Sequence, residues 1–462
     1  MPGLELLTRL FRFTSFFGKR GLAPALGAFS VAFSVSVNAE DLLQIYREAQ
    51  RYDAAYAAAR HAVEAGRERL PQGLALLLPT LNLSGNATRT RSEVDSRDPS
   101  ITPSFTRYPE SVGYTLTFTQ PLFRQQNWLQ YRQAGHQVKQ AEATFGQAYQ
   151  DLIIRVAQAY FDVLAAQDTL GLVRAQKEAI SEQLAQAKRN FEVGTATITD
   201  THEAQARFDL VVAQEIVAQN DLESKRRTLQ LLTGREPGPL APLRAEVKLT
   251  PPNPPDMQAW VELAEKHAYP VQIQEAAAEI AALDARRNSA AHLPTLDFVA
   301  THGQTGQSAT TDATGVGRDT TSTVVGLQLA MPLFQGGALN SREREAAALS
   351  LKAREDLENA RRNSALATRQ NYLAVSNGIA QIAALEQALV SSQSALDSNK
   401  LGYEVGVRIN IDVLNAQQQL FSTRRDLAVA RYNTITNSLR LKAVAGALRE
   451  EDLEEVNRAL SP

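Results

Sequence analysis

The chain has 462 residues, 44% of them hydrophobic, with 48 Lys and Arg against 50 Asp and Glu for a formal net charge of −2. That length exceeds one ordinary core and requires either two domains or an extended architecture. The near-neutral charge gives no footprint for a nucleic-acid partner, and the absence of cysteine excludes disulfides, thiolate metal sites and a lipidated N-terminal cysteine.

Residues 1–39 read as a cleavable secretory signal. Arg9, Arg12, Lys19 and Arg20 precede an apolar stretch, 21–37, which ends in Val37-Asn38-Ala39. Two glycines and a proline make the same stretch a poor membrane anchor. After Ala39 no segment is expected to reach the roughly 18–20 apolar residues of a membrane helix. Entry of the remaining chain into a membrane would therefore require a β-barrel, because only helices and closed barrels satisfy every backbone group in lipid.

Beyond the signal the chain is written twice. "LPTLNL" at 78–83 returns as "LPTLDF" at 293–298, and "QPLF" at 120–123 returns as "MPLF" at 331–334. Asp41 aligns with Asp256 and Leu78 with Leu293 at an offset of 215; Pro121 aligns with Pro332 at 211. Tyr160 and Tyr372, Gly194 and Gly406, Asp200 and Asp412, and Gly234 and Gly446 align at 212. So long a period is a duplication and not a solenoid repeat. It divides the chain into a first repeat, 40–234, a proline-rich linker, 235–255, a second repeat, 256–446, and a short acidic tail, 447–462.

Each repeat predicts a helix, a strand, a polar loop, a second strand, a very long helix, a tight turn and a long returning helix. The first strands fall near 81–90 and 112–120, where "YTLTFT" (114–119) alternates without a break. "VGLQLAM" (325–331) repeats the pattern, and Pro121 and Pro332 mark the corners where strand becomes helix. Strands of about ten residues suit a tilted bilayer crossing. Four cannot close a barrel, whereas three chains would supply twelve. The alternative is an exported coiled-coil scaffold whose β segments are soluble hairpins packed on helices.

The helices carry the clearest periodicity. Positions 145 to 191, taken alternately four and three apart, are apolar at thirteen of fourteen places, with Lys177 the exception. A 3.5-residue repeat over six heptads implies left-handed supercoiling, and a helix over 124–190 would be ~100 Å long. The returning heptads, 204 to 232, include Glu215 and Lys225. In the second repeat the equivalent seam contains Arg361, Ser364, Thr368, Asn371, Ser392 and Asn399. Those residues suit either a less apolar rod or a wall against water, and composition leaves both open.

Catalytic chemistry finds no support. The six histidines stand apart, and no metal-ligand spacing, nucleophile motif or phosphate loop occurs, so no catalytic residue, metal or cofactor is expected. The polar residues that stand out sit at the two turns, "FEVGTATITDTHEAQ" (191–205) and "YEVGVRINIDVLNAQ" (403–417). Each places an aspartate, Asp200 or Asp412, six residues after the turn glycine. Interaction with a helix N-terminus would account for either acid; the Arg408 and Tyr403 of the second turn would equally suit bonds to an acid or a neighbouring backbone.

The strand pair, proline corner, long helix, "VG" turn and "D-x-x-x-A-Q" segment, all present twice, resemble the TolC family of outer-membrane export channels. "AYFDVLAAQDTL" (159–170) and "LGYEVGVRINIDVLNAQ" (401–417) are the stretches that carry the likeness best. The resemblance implies an α+β membrane protein and a homotrimer, with one 12-stranded barrel in outer-membrane lipid and a long helical tunnel across the periplasm. It implies a passive conduit served by a periplasmic adaptor and an inner-membrane ABC or proton-coupled transporter, the adaptor docking at the helical-turn tips around Gly194 and Gly406. Thr199, Asp200, Tyr403 and Arg408 match the links that close the periplasmic mouth. Asp412 matches an acidic constriction, and Asn415 stands where that family has a second acid.

Overall fold

The computed structural model describes residues 39–98, 100, 103–244, 249–308 and 316–461. The signal expected over 1–39 lies outside the described residues, Ala39 excepted. The helix predicted at the start of the first repeat is in fact three pieces. Asp41 caps α1 (Leu42–Tyr52), its carboxylate accepting from the Gln44 amide at 2.7 Å. Asp53 interrupts the run and caps α2 (Ala54–Arg67) in the same way, accepting from the Tyr56 amide at 2.7 Å. After α3 (Arg69–Ala75) come β1 (Thr80–Arg89), a small loop hairpin of β2 (Ser92–Val94) and β3 (Phe105–Arg107), and β4 (Glu110–Phe123). The long helix α4 (Gln125–Glu192) and its return α5 (Ile198–Thr233) complete the repeat. The second repeat runs α6 (Met257–His267), α7 (Tyr269–Ser289), β5 (Thr295–Gln307), β6 (Arg318–Ala330), α8 (Ala338–Glu404) and α9 (Asn410–Val444), and α10 (Glu450–Arg458) ends the chain.

The two strand pairs join in one antiparallel sheet of order β1-β4-β5-β6. The register sets Leu83 opposite Leu116, Phe118 opposite Ala300, and Phe298 opposite Leu327. Opposed residues share a face, so Leu81, Leu83, Leu116, Phe118, Leu327 and Leu329 all lie on one side. Among the described residues no helix covers that face: Leu83 and Leu329 are 73% and 70% exposed. The other face carries Asn82, Asn86, Thr115, Thr117, Thr301 and Gln328. A soluble hairpin would bury its apolar face on helices, so the scaffold alternative loses its structural basis.

Beyond the sheet the helices stand four abreast. Nearer the strands, α2 and α3 lie against one side of α4, close enough that a Cβ on Gly66 or Gly73 would fall 2.5 Å from Ala141 Cβ or 2.8 Å from Ala134 Cβ. On the other side α7 sits between α4 and α8. Nearer the turns, α5 takes the place of α2 and α3, and α9 takes that of α7. The 68-residue α4 and 67-residue α8 therefore run the whole height of the wall, each ~100 Å.

The heptad seam of α4 is buried at Leu152, Val156, Val163, Leu170, Ile180 and Leu184. Its one exception pairs with one in α5, Lys177 Nζ donating to Glu215 Oε2 at 2.8 Å, and the other exception of α5, Lys225, donates through Nζ to Asp162 Oδ2, beside the seam of α4, at 3.0 Å. The polar seam of α8 is met from within the helix. Thr368 Oγ1 donates to the Ser364 carbonyl at 2.8 Å, Asn371 Nδ2 to Ala367 at 2.8 Å, and Ser392 Oγ to Ala388 at 2.7 Å. Such bonds to the preceding turn satisfy small polar groups without solvent. α8 also corrects one expectation, because it holds an 18-residue window apolar enough by composition to cross a membrane. Only 11% of that window is buried in the chain, and it is one part of a helix several times longer than a span.

Linker and tail wrap the wall at mid-height. Tyr160, buried on α4, donates to the carbonyls of Ala241 at 2.9 Å and Glu40 at 3.1 Å, and burial raises the pKa of its hydroxyl. Nearby, Arg155 grips Asp53 through two bonds of 2.8 and 3.0 Å, tying the α1–α2 break to α4. The Arg155 hydrogen bonds hold the Asp53 carboxyl below the ordinary carboxylate range. A depressed folded pKa stabilises above the unfolded value, near 3.9, and that stabilisation is lost as pH falls through the folded value. Asp53→Asn is expected to cost about 2–3 kcal/mol at pH 7, because Arg155 would keep only Asp151. The gap to the unmodified chain should narrow progressively as pH falls below about 3.9, read from unfolding midpoints in detergent.

Candidate functional site

The two helical turns are built alike. α4 ends with Gly194 at φ 78°, and α8 ends with Gly406 at φ 79°, the left-handed conformation that a side chain opposes. At the first turn the Thr195 amide donates to the Asn190 carbonyl at 2.8 Å and the Gly194 amide to Phe191 at 3.0 Å. At the second, Val407 donates to Gly402 at 2.9 Å and Gly406 to Tyr403 at 3.1 Å. Both are complete Schellman closures. They leave an apolar tip on each hairpin, with Val193 72% and Val407 76% exposed.

The polar residues picked out by sequence do not form one cluster within the chain. Asp200 is engaged locally: its carboxylate accepts from Thr197 N at 3.0 Å and Thr197 Oγ1 at 2.8 Å, while its own amide donates back to Thr197 Oγ1 at 3.3 Å. This capping box starts α5, so within the chain Asp200 is engaged at the helix terminus. Thr199 lies exposed on the same turn. Arg408 reaches Asp412 across one turn at 3.6 Å. Tyr403 extends to the other hairpin, its hydroxyl accepting from Asn190 Nδ2 at 3.1 Å.

Two further ties join the hairpins, and of their residues only Asn415 is a sequence candidate. Gln183 Nε2 donates to the buried Asn410 Oδ1 at 2.9 Å. Arg207 on α5 spans to α9, donating to Gln418 Oε1 at 2.6 Å and to Asn415 Oδ1 at 2.9 Å. Asn415 therefore has a use of its own, as acceptor for a cation that bonds two neutral amides there. Asp200 stands out by its place six residues after Gly194, while the T-x-x-D spacing of 197–200 is the local mark of its cap; Arg207 and Asn190 leave no local signature, because their partners lie 208 and 213 residues away.

At the opposite end, Pro121 is the last aligned residue of β4 before its register shifts, and Arg124 follows at the head of α4. Arg124 makes a two-pronged ion pair with the buried Asp297 of β5, with Nε to Oδ1 at 2.8 Å. Pro332 occupies the matching corner after β6, ahead of Gly336 and Gly337, both left-handed.

This molecule of an amphipathic sheet and two very long hairpins has clear relatives. The chain matches the family described as outer membrane efflux protein over residues 45–235 and 264–447. It is similar to outer membrane protein TolC of Vibrio cholerae, 32% identical over 95% of this chain and 97% of that protein. It is similar also to the alkaline protease secretion protein AprF of Pseudomonas aeruginosa, 34% identical over 93% of this chain and 89% of that one. The crystal structure of the Campylobacter jejuni CmeC outer membrane channel shares the fold, with a TM-score of 0.75 at 14% identity over 96% of this chain and 98% of that chain. Two matched segments, one in each half, together with relatives aligned nearly end to end, establish that the chain belongs to the outer membrane efflux protein family.

Proposed function

We propose that three copies of this chain close their sheets into one twelve-stranded barrel in the outer membrane, continued by a tunnel of their helical walls toward the periplasm. As a family member the chain is an outer-membrane channel for efflux or secretion. The observation that carries the three-copy reading is the sheet. Its apolar face is exposed, its other face is polar, and among the described residues the outer edges of β1 and β6 have no strand partner. In lipid those edges must be paired, and twelve strands reach barrel size where four do not.

In this reading cargo passes without being transformed, and the work comes from an inner-membrane ABC or proton-coupled transporter. A periplasmic adaptor docks on the apolar tips at Gly194 and Gly406. The mouth is held by the ties around the turns, with Thr199, Asp200, Tyr403 and Arg408 at the links and Asp412 and Asn415 at the narrowing. The bonds from Tyr403 to Asn190 and from Arg207 to Asn415 and Gln418 fasten the second hairpin to the first, so they are the contacts that opening must break. Charge at the narrowing is mixed, because Asp412 faces Arg408 at 3.6 Å and Arg207 lies close by on Asn415.

The test is single-channel recording of the mature protein in planar bilayers. Discrete, small conductance steps are expected. Tyr403→Phe and Arg207→Ala should each raise conductance or open time several-fold, since each removes ties worth roughly 0.5–3 kcal/mol. Equal conductance in both variants would place the closure elsewhere. Arg207→Ala should also shift selectivity toward cations, and Asp412→Asn should shift it away. Asp200→Ala removes the N3 half of the capping box that Thr197 begins. Faster amide exchange confined to residues 197–201 would fit the cap; a conductance change as large as that of Tyr403→Phe would make Asp200 a direct link.

A further inference from the structure

The duplication that builds the chain also carries the register of the seam between chains. In the first hairpin Thr80 stands opposite Thr119, and in the second Thr295 stands opposite Ala330. Moving the first pair by the repeat offsets, 215 and 211, yields the second without a residue of slip. The hairpins are joined by β4 and β5, with Thr119 opposite Val299 and Phe118 opposite Ala300. Since β6 is the copy of β4, and β1 the copy of β5, the same offsets place Ala330 of one chain opposite Ser84 of the next. Gln328 then faces Asn86, and Leu327 faces Ala87.

Three features of the chain agree with that register. The first is backbone direction. The Thr90 amide donates to the Pro109 carbonyl across the first ladder, and the Ser308 amide donates to Glu110 across the second, both at 2.9 Å. Successive residues turn their N–H and C=O to opposite neighbours. Leu81, Leu83, Gly85, Ala87 and Arg89 therefore point outward from β1, as Val325, Leu327 and Leu329 do from β6. The offset register matches outward residues with outward residues. The second feature is the face: Leu327 and Ala87 lie on the apolar side, Gln328 and Asn86 on the polar side, and a one-residue slip would cross them. The third is strand length. β4 continues through Pro121 to Phe123, paired there with Asp297 and Leu296, whereas β6 stops at Ala330. Among the described residues the equivalent segment, 331–334, has no strand beside it, and its Leu333 and Phe334 are 88% and 87% exposed.

We infer that the β6 edge of one chain docks on the β1 edge of a second copy with Gln328 opposite Asn86, and that 331–334 becomes strand when it does so. The inference rests on the three-copy reading of the sheet. It also sets Gln335 and Asn82, the copies of Arg124 and Asp297, beside each other across the seam, as a neutral pair in place of an ion pair.

The chain has no cysteine of its own, so paired cysteines report the register cleanly. Gln328 and Asn86 would form a wide pair, about 4.5 Å between Cα atoms, inside the range a disulfide spans. Within one chain the two edges lie three strand spacings apart, roughly 14 Å, too far for an internal bond. Oxidation of Asn86→Cys with Gln328→Cys in membranes should give a covalent trimer on boiled, non-reducing gels. Asn86→Cys paired with Gly326→Cys or Ala330→Cys should cross-link about tenfold less. Preference for either slipped pair would overturn the register. No cross-link from any pair, in protein that light scattering shows to be trimeric, would overturn the seam and leave the trimer standing. A monomeric mass in detergent would remove the trimer, and the seam with it.

Discussion

The constraint on which the rest depends is the pairing of edge backbone in lipid. An unpaired N–H or C=O costs several kcal/mol in hydrocarbon, and β1 and β6 each present a full row of them. The apolar face that runs from Leu83 to Leu329 argues equally strongly against water. A single chain can meet one demand only by violating the other. Closure with further copies meets both, and the amphipathic alternation of the four strands then becomes a lipid-facing outside and a wet inside.

The helical wall answers to the same geometry. Each long helix must cover the height of the tunnel, but its neighbour changes halfway down. α2, α3 and α7 accompany the upper part, and the returning helices α5 and α9 accompany the lower part. This explains the interruptions at Asp53 and at Ala268, where α6 gives way to α7. A short helix that stacks on a hairpin must stop where the hairpin ends, and both breaks fall at a residue of extended backbone, Asp53 and Ala268. It also explains why linker and tail gather at mid-height, where the Tyr160 hydroxyl binds two carbonyls and Arg155 grips Asp53. The substitution of one neighbour for another leaves a joint there that must be covered.

Much of this was legible in the sequence, for physical reasons that differ by element. The α4 seam could be read because apolar periodicity is set by the helix itself, and its one charged break, Lys177, turns out to be the partner of Glu215 in the seam of α5. The strands could be read because alternation reports a sheet with two different faces. The glycines at 194 and 406 marked turns because left-handed backbone has few occupants. The polar α8 seam was ambiguous, since residue type does not say whether Thr368 bonds solvent or its own helix. The entrance ties were illegible for a different reason. Asn190 and Arg207 meet partners in the other repeat, and nothing local distinguishes them from a solvated helix face.

Duplication gives every junction between the halves a counterpart between chains, and the two kinds of junction face different histories. The corner inside the chain holds the Arg124–Asp297 ion pair, whose carboxylate is buried. Both members belong to one molecule and meet as it folds, so neither charge waits alone. At the outer corner the same two places hold Gln335 and Asn82. An ion pair there would leave each unassembled subunit with a charge on the polar face of an open sheet edge, without its partner until a second copy arrived. Neutral amides can bond water beforehand and each other afterwards. In the inferred register the two corners therefore differ in kind: an ion pair where the partner is covalently assured, and neutral amides where the partner is another molecule.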